Sequence, residues 1–94
     1  MAEDQIRGKS MQAVSKDVAN GFFTVNPLTV KKFTAEMIKA FHQQLQKVQR
    51  EVRNERFDSH DIIAIRNRNM RLQRLHQAVT VLEHTARERR VNLL

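Results

Sequence analysis

Residues 28–94 contain neither glycine nor proline, and the chain's only three such residues, Gly8, Gly21 and Pro27, all come earlier. These are the residue types that most often interrupt a helix, glycine through backbone entropy and proline through its missing N–H. So long a stretch without either predicts long helices separated by turns of ordinary polar residues. The apolar spacing agrees. Val30, Phe33, Met37, Phe41, Leu45, Val48 and Val52 recur at intervals of three and four, as on one buried helix face. Asn26-Pro27 predicts the start of that helix, because Asn caps free N–H groups and proline needs no donor in the first turn. Val25 and Val30 stand where a hydrophobic staple would place them.

Asp58, Ser59 and Asp61 predict the next N-terminus, with carboxylates favourably set against the helix dipole. Ile62, Ile65, Asn69, Leu72, Leu75, Val79, Leu82 and Ala86 then form a second stripe, with a period near that of a left-handed coiled coil. A short connection at residues 57–60 makes the two long helices antiparallel neighbours. It pairs Phe41 with Gln77, Met37 with Val81, Val48 with Met70 and Val52 with Arg66. Each long helix would span about 40 Å, which predicts an elongated molecule.

Before this hairpin, residues 1–9 are polar and interrupted by Gly8, and they are expected to form a flexible tail. Ser10 is placed to cap a short helix carrying Met11, Val14 and Val18 on one face, and Asn20-Gly21 is placed to stop it. The following Phe22-Phe23 linker is too apolar to hang free and is expected to tuck into the core. The expected fold is all-α, with residues 10–94 as a single helical domain and helices near 10–20, 27–56 and 60–90. It is a long antiparallel helical hairpin with a short N-terminal helix, self-associating into a helical bundle.

Several function classes are disfavoured. The chain has no cysteine, which excludes disulfides and thiol chemistry and fits a cytoplasmic protein. Its first ten residues hold no apolar signal segment, and no apolar stretch approaches the roughly 18 residues of a membrane span. Two glycines cannot supply a glycine-rich phosphate loop, and Ser10, Ser15 and Ser59 lack the surroundings of an activated nucleophile. His42, His60, His76 and His84 show no metal-ligand spacing, and His60-Asp61 reads as turn and cap. No enzyme activity, cofactor or metal is therefore expected.

Charge is more informative. The formal charge is +7, and residues 47–74 hold eight basic side chains, seven of them arginine, against four acidic ones. Arginine is the better residue for bidentate contacts to phosphate or carboxylate. Lys47, Arg50, Arg53, Arg66, Arg71 and Arg74 are accordingly the candidate anion or nucleic-acid contacts, because phosphate recognition needs several cations at fixed spacing. No aromatic side chain interleaves them, which argues against a stacking platform for single strands. The plainer alternative is a solvated helix face, diluted by Glu51, Glu55, Asp58 and Asp61 and laced with local ion pairs.

Apolar residues outside the two stripes supply the other candidates. Ile63, Met70 and Val81 lie opposite the second stripe, where a lone hairpin would expose them and dimerisation into a four-helix arrangement would cover them. Single surface apolar residues also occur without any role. Asn69, within the stripe, could set register or oligomeric state. At the open end of the hairpin Phe22, Phe23, Met37 and Ile38 join Val81 in a prospective groove for a partner helix, with Met and Phe able to repack around different partners. The expectation is a non-enzymatic helical protein-interaction module, an adaptor, assembly factor or export-type chaperone. It would form a homo-dimer or higher homo-oligomer and bind a protein partner that the tip arginines steer. The alternative is a basic nucleic-acid-binding protein gripping phosphates with those arginines.

Overall fold

Ser10 has extended backbone and a short hydroxyl, the combination that caps a helix. In the computed structural model, which describes Gln5, Ile6 and residues 8–93, its Oγ accepts a hydrogen bond from the Ala13 N–H at 3.2 Å and opens α1, Met11–Ala19. Gly21 closes α1. Its φ of 83° lets the Phe22 N–H reach the Asp17 carbonyl at 2.8 Å and its own N–H reach Val18 at 3.2 Å, the double bond of a Schellman stop. Ahead of α1, β1 (Gln5–Ile6) pairs antiparallel with β2 (Lys9–Ser10), and Gly8 turns between them with a φ of 78°. The expected tail is thus corrected where it is described, because Ile6 is buried and anchors the ribbon on α1. Residues 1–4 and 7 of that tail lie outside the described residues.

The second helix departs most from expectation. Asn26 does cap a turn, its Oδ1 accepting from Leu28 and Thr29 N–H groups, but the turn closes on itself within residues 27–32. The Arg89 guanidinium takes the carbonyls of Val30, Lys31 and Phe33, at 3.1, 2.7 and 2.7 Å. The Val30 carbonyl also accepts from the Phe33 N–H at 3.1 Å, a tighter turn than that of an α-helix, so the chain leaves the helical path and the helix restarts. It does so at Thr34, whose Oγ1 accepts from Met37 N–H at 3.1 Å and opens α2, Ala35–Arg53. At 19 residues α2 spans about 28 Å instead of 40 Å. After an eight-residue connection, Asp61 caps α3, Ile62–Glu88, with Oδ1 accepting from Ala64 N–H at 3.0 Å.

The described molecule is mostly helical and measures 44 × 26 × 22 Å. Its core lies among the three helices, with Phe41, Ile38, Leu45, Leu75, Leu82, Val14 and Val30 almost fully enclosed. Phe23 and Phe33 set their rings against Phe41 with centroids 6.5 and 6.0 Å away, the edge and tilted geometries that aromatic quadrupoles favour. The linker expectation therefore holds for Phe23 and fails for Phe22, which is 80% exposed.

Contacts between α2 and α3 fall further along α3 than the two stripes imply. His42 lies 3.4 Å from Glu83, and Glu55 is held by Arg71. The stripe itself also needs correction. Leu75, Val79, Leu82 and Ala86 are buried, whereas Ile62 and Asn69 are exposed. At about 100° per residue, Ile62 and Asn69 point roughly 120–180° away from Leu75, Ala78 and Leu82, because the spacing shortens to 3 and 3 across Asn69, Leu72 and Leu75 and turns the stripe round the helix. The face that meets the core at Leu75, Ala78 and Leu82 therefore does not contain Ile62 or Asn69.

Candidate interaction surface

The first half of α3 carries apolar side chains that the described residues leave largely uncovered. Ile62 is 68% exposed, Ile63 72% and Met70 44%, while every fully buried residue of this helix lies at Leu75 or beyond. The reason is local. The helix α2 ends at Arg53, and the connection that follows brings only Phe57 inward, half-buried under the Arg68 guanidinium at 5.0 Å. Among the described residues no packing layer therefore reaches the outward face of residues 62–66, and only the end of α1 approaches Asn67 and Met70.

Along that face Ile63, Asn67, Met70 and Arg74 succeed one another at i, i+4, i+7 and i+11, one line on a helix. The line runs into a recess of about 230 Å³ lined by Asn20, Asn67, Met70, Arg71 and Arg74, where the end of α1 meets α3. Arg74 forms its inner wall. One of its N–H groups donates to the Ala19 carbonyl at 3.1 Å, which helps satisfy the open end of α1. Its guanidinium also lies where a side chain on Gly21 would stand, 3.3 Å from a Cβ built there. A second hollow of about 220 Å³, lined in part by Val18, Phe23, Val25 and Ala78, opens on the other side of Arg74.

The arginines are less available than their number suggests. Arg71 donates to both oxygens of Glu55, at 2.6 and 2.7 Å, and through Nε to the Asn67 carbonyl at 3.4 Å. The paired hydrogen bonds from Arg71 hold the Glu55 carboxyl below the usual glutamate range. Partial burial pushes the other way, and the nearby charges of Arg71 and Arg68 add to the lowering. The same bonds raise Arg71 further. Arg68 covers Phe57. Lys47, Arg50, Arg53 and Arg66 are exposed and form no ion pair among the described residues. The candidate anion contacts thus divide into an exposed set of four and two, Arg71 and Arg74, that brace the fold.

The apolar candidates divide as well. Ile38 is completely buried, and Phe23, Met37 and Val81 pack against the core, so the groove expected at the open end is largely filled by the chain itself. Phe22, Ile63 and Met70 remain open. Sequence reasoning missed Ile62, which it assigned to the core stripe, and it missed the pair Asn20 and Asn67, which only the docking of α1 brings together. Compared with known protein families, curated proteins and solved structures, the chain finds no match. Among the described residues no helix is long and apolar enough to cross a membrane.

Proposed function

We propose that this chain is a non-enzymatic helical interaction module that docks a protein partner on the first half of α3. One observation carries the reading. Ile62, Ile63 and Met70 stand in water on a stretch where the chain's own core ends. Between Asp61 and Glu83 the sequence holds Arg66, Arg68, Arg71 and Arg74 and no acidic residue. Exposed apolar side chains flanked by one sign of charge suit a partner whose own surface is apolar and acidic. In this reading α2 and α3 form an antiparallel hairpin, supported by the successive pairs Glu55 with Arg71, His42 with Glu83 and the Phe33 carbonyl with Arg89. The hairpin holds the docking surface at one end of the molecule.

A second copy of the chain competes for the same surface. Two such surfaces brought face to face would oppose arginine to arginine, a repulsion that salt would relieve. A photo-crosslinking residue at position 63 tests the proposal, with exposed position 43 on α2 as the control. The expected result is a protein adduct at 63 and none at 43. An adduct with the chain itself, together with a dimer in sedimentation, would convert the reading to self-association. Equal labelling at both positions would remove it.

The nucleic-acid alternative rests on Lys47, Arg50 and Arg53, which are exposed on α2 and carry no internal ion pair among the described residues. It predicts that log affinity for duplex DNA or RNA falls linearly with log salt, and that replacing these three residues with glutamine flattens the slope.

A further inference from the structure

We infer that the recess between α1 and α3 receives a carboxylate, and that the partner is an acidic amphipathic helix laid along Ile63, Asn67, Met70 and Arg74. This rests on the docking surface proposed above and adds the chemistry of its occupant. The recess is built for an anion of modest size. Arg74 uses one of its five N–H donors on Ala19, which leaves the rest of the fork for a ligand. The side-chain amides of Asn20 and Asn67 line the same space and make no hydrogen bond to any described residue. Arg71 adds little net charge, since Glu55 occupies its fork. The C-terminal end of α1 offsets part of the Arg74 charge, so the site offers less than one net positive charge with amide donors around it, the scale of a single carboxylate rather than a phosphate dianion.

Charge complementarity selects the occupant. Residues 62–82 contain four arginines and no acid, so a second copy would bring like charges together. Nucleic acid is also disfavoured at this place. Met70 in the recess and Ile63 beyond it would meet phosphates and water, and no aromatic side chain lines the recess to stack on a base. An amphipathic helix satisfies both halves at once. From Ile63 to Arg74 the line is about 16 Å long, or three helical turns. A partner helix can then seat Asp or Glu in the recess beside Met70 and lay Leu, Ile, Met or Phe on Ile63 about two turns away, as helix-in-groove recognition does.

Selection of a displayed library of helical peptides against the full chain tests this. The expected winners carry Asp or Glu about two turns from a large apolar residue. Their affinity falls about tenfold or more in Arg74→Gln and in Asn67→Asp. The second variant matters because Asn67 is exposed and its side chain braces nothing, so an unchanged circular dichroism melt separates lost binding from lost folding. Winners without acidic preference, or winners indifferent to Asn67→Asp, would overturn the carboxylate site and leave the apolar docking surface standing. No enrichment at all would overturn both. Salt-dependent binding of RNA or duplex DNA that Asn67→Asp abolishes would overturn the carboxylate and assign the recess to phosphate.

Discussion

The two halves of α3 are made of similar residues and behave differently. From Leu75 onward the helix buries Leu75, Ala78, Val79, Leu82, Thr85 and Ala86, and Arg89 just beyond it ties down the turn before α2. From Ile62 to Arg74 it holds isoleucine, methionine and leucine too, yet Ile62, Ile63 and Met70 face solvent. Intrinsic hydrophobicity is therefore not what separates core from surface here. The distal half has α1 and α2 packed over it, and the first turns of the proximal half extend beyond both. Apolar residues that the chain's own packing leaves uncovered are the ones available to another molecule.

The contrast is sharpest for single truncations. Leu82→Ala, in the distal half, should lower the free energy of unfolding by about 2–5 kcal/mol, because the enclosed site cannot collapse. Ile63→Ala should change it by no more than about 0.5 kcal/mol. Urea titration compares the two directly, and similar losses would erase the distinction. Arg89→Met comes next. It removes charged donors from three carbonyls and should cost about 1–3 kcal/mol, with amide exchange accelerated around residues 31–35.

Gly21→Ala tests the junction between the halves, where a left-handed backbone and the Arg74 guanidinium both disfavour a side chain. It should destabilise by about 1–2 kcal/mol. At the far end Arg90 adopts a φ of 56° and closes α3 with the Val91 N–H on the Ala86 carbonyl at 2.8 Å, a position that suits glycine. Arg90→Gly should therefore gain up to about 1 kcal/mol in thermal melts.

The smallest effect lies in the proximal half. Since Arg71 holds the Glu55 carboxyl low in the folded chain, its contribution is present above the ordinary glutamate range and is lost as pH falls through the folded value. The pair is partly exposed, so Glu55→Gln should cost only about 0.5–1 kcal/mol near neutrality and nothing in acid. A loss that persisted in acid would mean that Glu55 acts through packing.

Helix termini were the most legible feature of this chain. Ser10, Gly21 and Asp61 act through their own backbone neighbours, so their roles can be read locally. Asn26 misled because its capping is real but short: the turn tightens at Phe33, and Arg89, far away in sequence, holds the carbonyls where it ends. The proposed interaction surface was legible in part. Ile63 and Met70 stood out by their spacing, whereas Ile62 was hidden by a heptad line extended past the point where α2 stops.

Sequence by itself determined that the described chain is mostly helical, since a long stretch without glycine or proline and with apolar residues three and four apart admits little else. It also determined the run of residues 62–82 with four arginines and no acid. Tertiary structure alone decided which apolar residues are enclosed, where α2 begins, and that Asn20 and Asn67 share one recess. The physical reason is reach. Capping and helical period act over a few residues, while burial depends on which helix ends first and on what a distant arginine happens to hold.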